Sequence, residues 1–201
     1  MAALREPTDS GPFDTTEVRW FAAGELPALF IAGFSAMPGA VHREARTDTY
    51  LRDGSIDVGI KRRGSGPVEI KSLLPFSGVV DIGAAVPGRV EEWRKTRGAA
   101  GRSDGGLWVD VEKDILKRFH ERSAAGSGCQ TELTSLLVAG VAAWTFAFEA
   151  WGPTEVRRSL LSRIVDEFRS ESRLGQEFAA SLQQSMGYPE WLTTVAGNAN
   201  R

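Results

Sequence analysis

The chain has one cysteine, Cys129, and two histidines, His42 and His120, among 201 residues. That scarcity excludes an internal disulfide framework and a zinc cage built from cysteine and histidine. No apolar run approaches the roughly 18 residues a membrane-spanning helix requires, and the opening MAALREPTDSGPFD lacks the apolar stretch of a secretory signal. With a single thiol, these absences predict a cytoplasmic protein with no membrane partner. Charge of one sign is missing too: 24 lysines and arginines stand against 26 aspartates and glutamates, a net −2. Such a balance makes no global electrostatic case for nucleic acid, so any anion site has to be local.

What is present reads as one soluble domain over residues 15–201, preceded by a flexible leader over 1–14 that carries Pro7, Gly11 and Pro12 without periodicity. Residues 15–21 alternate as a strand, and Leu26 to Met37 reads as a helix closed by Pro38-Gly39. Three short runs follow, Arg46–Leu51, Ile56–Arg63 and Val68–Ser72, joined by Asp53-Gly54 and by Gly64-Ser65-Gly66. Both junctions are hairpin signals. Prolines and glycines break up residues 74–106, which predicts one irregular strand and then an exposed loop from Gly98 to Gly106. A long alternating run from Leu107 to about Glu121 comes next, with an apparent slip between Lys113 and Ile115 that suggests a bulge. Two strands then flank Ala139-Gly140. Thr154 opens a helix with Val156, Leu160, Leu161, Ile164 and Phe168 on one stripe, and a last helix follows Tyr188-Pro189. The predicted fold class is α+β, mostly β: an eight-stranded antiparallel barrel with helices packed outside.

Strand alternation turns these hairpins into faces. A two-residue turn at Asp53-Gly54 places Arg46 opposite Lys61 and Tyr50 opposite Asp57, and the next turn places Lys61 opposite Glu69 and Gly59 opposite Lys71. One face thus carries Arg46, Asp48, Lys61, Arg63, Glu69 and Lys71, while the other carries Leu51, Ile56, Val58, Ile60, Val68 and Ile70. The Ala139-Gly140 hairpin divides in the same way, with Gln130, Glu132, Thr134, Thr145 and Glu149 on one side and Leu133, Leu137, Trp144, Phe146 and Phe148 on the other. In the first strand Glu17 and Arg19 share a face. Like charges directly opposed on a sheet are destabilising, so Arg46 facing Lys61 calls for an anion between them. The alternative is an open wet face on which Lys61 and Glu69 pair for about 0.2–1 kcal/mol. Basic groups and carboxylates converging from four or more strands suit a metal-bound polyphosphate, the former on phosphate and the latter on a hard divalent cation. Lys113 joins the anion set.

Other side chains read as structural. His42 and His120 belong to no pocket-facing set, Asp110 and Glu112 decorate a wet strand face, and Cys129 fills core. Trp20 and Trp144 fall on the packing face with no basic residues interleaved, which argues against base stacking. The loop Gly64-Ser65-Gly66 leads into a strand and so is no phosphate loop.

In order and spacing, Glu17-Val18-Arg19-Trp20, Arg46-Thr47-Asp48-Thr49-Tyr50-Leu51, Gly59-Ile60-Lys61-Arg62-Arg63, Val68-Glu69-Ile70-Lys71, Glu132-Leu133-Thr134 and Phe148-Glu149 resemble the CYTH family, the triphosphate tunnel metalloenzymes. The resemblance runs from about Thr15 to Ala150. It implies a barrel whose charged interior binds triphosphate with Mg2+ or Mn2+, as in triphosphatases, thiamine triphosphatase and one class of adenylyl cyclase. Carried over by position, Arg46, Lys61, Arg63 and Lys71 would bind phosphate, and Glu17 would hold the metal with Glu132 and Glu149 beside it. Glu17 and Lys71 would then be the catalytic pair. The implied activity is metal-dependent hydrolysis of a small triphosphate: inorganic, thiamine or nucleoside. The first strand departs from the family's Glu-x-Glu-x-Lys, since Arg19 stands at the second acidic position and Phe21 at the lysine. A cation at Arg19 repels metal and attracts phosphate. The alternative function is therefore a degenerate member that binds a phosphorylated or other anionic ligand, or runs different chemistry on it. An interaction domain using the helix after Thr154 is a third reading.

Overall fold

The structure is a computed structural model that describes residues 11–98, 107–122, 126–171 and 174–198. The strands are β1 (Phe13–Ala23), β2 (His42–Arg52), β3 (Val58–Arg63), β4 (Val68–Val80), β5 (Gly88–Arg97), β6 (Leu107–Arg122), β7 (Gly128–Val138), β8 (Val141–Trp151) and the two-residue β9 (Gln184–Ser185). Four helices accompany them: α1 (Ala28–Ala36), α2 (Thr154–Glu171), α3 (Gly175–Ser181) and α4 (Tyr188–Asn198). Antiparallel pairing runs β5-β4-β3-β2-β6-β7-β8-β1, and β5 pairs back onto β1, which closes an eight-stranded barrel. Closure removes the exposed edges that an open sheet of this size would present. β9 pairs with β1 beyond the stretch that β5 occupies.

The Ala139-Gly140 hairpin has its expected register, Val138 opposite Val141, because both turn residues adopt positive φ (49° and 80°), the twist a two-residue turn needs. The β3–β4 hairpin likewise pairs Lys61 with Glu69 and Gly59 with Lys71. The β2–β3 junction differs from expectation. Tyr50, not Arg46, lies opposite Lys61, and Asp48 lies opposite Arg63. The loop is longer because Asp53 and Ser55 cap it: the Ser55 amide donates to Asp53 Oδ1 at 2.9 Å and the Val58 amide to Ser55 Oγ at 3.0 Å. The slide from the expected register is even in residue number, so every side chain keeps its predicted face. Arg46 consequently faces Lys113 across β6 rather than Lys61.

Three further expectations are corrected. Residues 74–97 hold two strands where one was expected: β4 continues through Pro75 because the β4–β5 ladder shifts register between Leu73 and Ser77, and β5 fills the stretch around Val90 to Trp93. The irregularity in β6 lies between Phe119 and Glu121 and leaves Lys113 and Ile115 in step. Strand β1 starts at Phe13, inside the expected leader, whose first ten residues fall outside those described, as does the predicted loop beyond Gly98.

The core lies outside the barrel wall on one side. Trp20, Phe146, Phe148 and Leu133 pack against Leu160, Leu161, Ile164 and Phe168 of α2 and against Phe30, Phe34 and Phe178. Arg157, not Val156, shares that buried stripe, and Val156 is 45% exposed. Helical cover is one-sided: α2 packs on β7, β8 and β1, whereas the outward Val58, Ile60 and Ile70 of β3 and β4 are only half-buried. Arg118 is buried and caps α1 from the β6 wall. Its guanidinium donates to the carbonyls of Phe34 (2.8 Å), Ser35 (3.0 Å) and Pro38 (2.7 Å), groups a helix C-terminus otherwise leaves unbonded. No helix among the described residues is long and apolar enough to cross a membrane.

Candidate functional site: a charged, blind-ended lumen

Inward positions change character along the barrel axis. From one end to the other β1 presents Glu17, Arg19 and Phe21, β2 presents Arg46, Asp48 and Tyr50, and β7 presents Glu132, Thr134, Leu136 and Val138. The apolar end is filled by α4. Tyr188, Trp191 and Leu192 pack there with Phe21, Tyr50, Val111, Leu136, Val138 and Ala143. Phe21 stacks on Trp191 at 4.7 Å with the rings 6° apart, and Tyr188 stacks on Tyr50 at 5.7 Å. Gly59 permits the approach, since a Cβ there would sit 3.0 Å from Pro189. The lumen is therefore a cup with an aromatic floor.

Above that floor lies a cavity of about 100 Å³ lined by all nine residues selected from the sequence: Glu17, Arg19, Arg46, Lys61, Arg63, Lys71, Lys113, Glu132 and Glu149. Lys95, Arg97, Glu69 and Tyr188 line it as well. Eight basic groups thus share the lining with four carboxylates, or five with Asp48 beneath them, in a chain whose net charge is −2. The local excess of positive charge is the reverse of the global balance.

Asp48 organises one half of this lining. Its fully buried carboxylate is approached by Lys113 Nζ at 2.9 Å, Arg46 Nε at 3.0 Å and Lys61 Nζ at 3.5 Å. Burial pushes the Asp48 carboxyl up, but Lys61, Lys113 and Arg46 outweigh it and hold the group well below the usual carboxylate range. Lys61 also reaches Glu69 at 3.4 Å and Arg46 reaches Glu44 at 2.6 Å, whereas Lys113 pairs with Asp48. Lys61 is pushed down to about 8, first by burial and then by the neighbouring Arg63, against the pull of Asp48. Lys113 is pushed down to about 7 by burial, with Lys61 adding repulsion against Asp48. Lys113 Nζ also donates to Tyr50 Oη at 2.8 Å and lies 4.1 Å above the Tyr188 ring.

The other half is held by Arg19. Its Nε donates to Glu17 at 2.8 Å and its Nη1 to Glu132 at 3.2 Å and to Thr145 Oγ1 at 3.3 Å. Glu17 also takes Lys71 Nζ at 2.5 Å, and Glu149 takes Lys95 Nζ at 2.5 Å and Gln130 Nε2 at 3.1 Å. Glu91, Glu17 and Glu149 stand opposite one another across β5, β1 and β8, an arrangement that repels unless cations interleave. Lys71, Lys95 and Arg19 interleave. Burial raises Glu17 and Glu132, yet Lys71 with Arg19 lowers the first far below its ordinary value, and Arg19 with Lys117 brings the second to about 2.

This pattern bears on the expected metal. Among the described residues no three carboxylate, histidine or cysteine side chains converge as ligands. The carboxylates proposed from the sequence as ligands, Glu17, Glu132 and Glu149, are each engaged by a basic side chain, and the Arg19 guanidinium bridges Glu17 and Glu132 where a cation would have to sit. The donor set does not fit Mg2+ or Mn2+, which demand free oxygen ligands around one point.

Sequence reasoning missed Lys95, Arg97 and Tyr188 in the lining, and Glu91 beside it. Lys95 and Glu91 lie in β5, where alternation was legible in Glu91, Trp93 and Lys95 had the segment been read as a strand. Tyr188 reaches the cavity from a helix distant in sequence, and no local signal marks it.

No family model matches the sequence, and no curated protein matches it. Solved structures with a similar fold include the PH1819 protein from Pyrococcus horikoshii OT3 (14% identity, TM-score 0.44, 89% of this chain and 99% of that one). The S. pombe Pct1 RNA triphosphatase is also similar (9% identity, TM-score 0.45, 89% of this chain and 87% of that one), as is its complex with the Spt5 CTD at 10% identity.

Proposed function

We propose that the lumen binds a small polyanion of the triphosphate type, inorganic or carried on a compact organic group, and that basic side chains hold it directly without a bridging divalent cation. The observation that carries this reading is the cluster of four cations, Arg46, Lys61, Arg63 and Lys113, around the buried carboxylate of Asp48, with Glu69 and the half-exposed Glu44 as their further ion-pair partners. Buried cations that repel one another destabilise the empty site, and an anion among them relieves both the repulsion and the lost hydration. Arg46, Lys61, Arg63, Lys71 and Lys113 are the ligand-binding residues, and Arg19 holds Glu17 and Glu132 apart from the anion as a fixed internal cation. Glu17 and Lys71, expected as a catalytic pair, form an ion pair with each other, and among the described residues metal-dependent hydrolysis has no cation-ready carboxylate set to rest on.

Titration calorimetry with inorganic triphosphate in EDTA tests the proposal. Saturable 1:1 binding is expected in EDTA, with Lys61→Met weakening it at least tenfold, the loss of one charge-assisted contact being about 1.5–3 kcal/mol. Binding that appears only after Mg2+ or Mn2+ is added, or phosphate release dependent on either ion, would reinstate the metalloenzyme reading.

A further inference from the structure

We infer that Tyr188, delivered by the C-terminal helix α4, is a ligand-binding residue of this cavity and donates its hydroxyl to the bound anion. The inference rests on the proposed polyanion site and adds to it a residue from outside the barrel strands.

Three observations converge on Tyr188. Its side chain is more than nine-tenths buried and lines the charged cavity. Its hydroxyl is buried yet has no hydrogen-bond partner among the described residues. By contrast the other tyrosine of the chain, Tyr50, accepts from Lys113 Nζ at 2.8 Å. Buried hydroxyls almost always find partners, and an exception beside a binding cavity marks a group kept for a ligand. The ring is also fixed in place: it stacks on Tyr50, meets Phe21 edge-on at 5.3 Å, and carries Lys113 and Arg19 over its face at 4.1 and 4.8 Å.

The Tyr188 side chain shares the cavity lining with Arg19, Glu132 and Lys113. Burial raises its pKa, and the charges that act on it next are those of Arg19, Glu132 and Asp48, all groups of the lumen. It therefore stays protonated through the neutral range and acts only as a donor toward an anion. With Lys113 and Arg19 over its ring, it adds a neutral donor to the basic lining of the cavity.

The test titrates wild type and Tyr188→Phe with inorganic triphosphate in EDTA and records melting temperatures with and without ligand. Tyr188→Phe is expected to bind tenfold or more weakly, since it removes one hydrogen bond to a charged group. Its ligand-free melting temperature should equal or exceed that of wild type, because the lost oxygen had no partner. Equal affinity in the two proteins overturns the inference and leaves the polyanion site standing. Failure of wild type to bind overturns both. Should the variant not fold, 3-fluorotyrosine labelling of the wild-type chain gives two resonances, one for each tyrosine, with Tyr50→Phe assigning them. A Tyr188 resonance that does not move when triphosphate saturates the protein refutes the contact.

Discussion

Binding of a polyanion in this lumen should draw protons from solution, and the amount follows from two lysines. Free Lys113 titrates near 7 and Lys61 near 8, both pushed down by burial and by neighbouring cations. At pH 8.5 the first is therefore almost wholly neutral and the second about one-quarter charged. One negative charge placed about 4 Å from an ammonium at an effective dielectric of 20 contributes about 4 kcal/mol, or roughly three pKa units. A phosphate between the two lysines thus restores both to the ordinary lysine range. Binding at pH 8.5 should take up about one proton at Lys113 and about three-quarters of a proton at Lys61. Affinity should accordingly fall as pH rises from 7 to 10, most steeply above 8. Calorimetry in buffers of different ionisation enthalpy measures the uptake directly. Because triphosphate has protons of its own, the decisive quantity is the difference between wild type and Lys113→Met, expected to be close to one proton at that pH. Identical uptake in the two proteins would mean that Lys113 is already charged in the free site, and the argument from crowded cations would fail.

Two further outcomes test the frame around the site. Phe21→Ala should cost about 3–5 kcal/mol in urea denaturation, because it empties a fully buried position that stacks on Trp191 and meets Tyr188 edge-on. A loss below about 1 kcal/mol would show that α4 does not depend on that stack. Glu132, held near 2 by Arg19 and Lys117 against its own burial, contributes stability that is complete above its unfolded pKa of about 4.5 and is lost as pH falls toward 2. The contribution is about 3 kcal/mol, so Glu132→Gln should flatten the decline of stability between pH 5 and pH 2.5. An unchanged acid profile would contradict the Arg19–Glu132 pairing.

Much of this site was legible in the sequence because strand parity is robust. The β2–β3 register slid by an even number of residues, yet Arg46, Asp48, Lys61 and Arg63 kept their face, since only an odd slip exchanges inside for outside. The glycine-marked turns at 64–66 and 139–140 fixed the remaining hairpins. Illegible features share another property: they depend on contacts between segments distant in the chain. Pro75 and the glycines around it masked β4 and β5, whose pairing tolerates a bulge at that point, and with β5 went Lys95 and Glu91. The filling of one end by α4 left no trace in periodicity either, because Tyr188, Trp191 and Leu192 are apolar positions any amphipathic helix would show. Nor could spacing reveal that Asp48 rather than an incoming anion sits nearest the cations.

Arg19 and Phe21 of the first strand make sense together. They are successive inward positions of β1, and both touch Tyr188, Arg19 over its face and Phe21 at its edge. A basic side chain at position 21 would bury a charge among Tyr188, Trp191 and Leu136, a cost no partner in that apolar floor could offset. Phe21 instead extends the stack that seats α4. With α4 seated, Tyr188 presents its ring to Arg19, and the guanidinium gains an aromatic face in addition to its bonds with Glu17 and Glu132. A second carboxylate at position 19 would leave Glu17 and Glu132 without that shared counter-charge and add a third negative group beside them. Arg19 therefore supplies the cation that the neighbouring acids require, and the ring that faces it comes from the helix that closes the far end of the barrel. The ion pairs of Arg19 and the aromatic plug thus rest on one arrangement of β1.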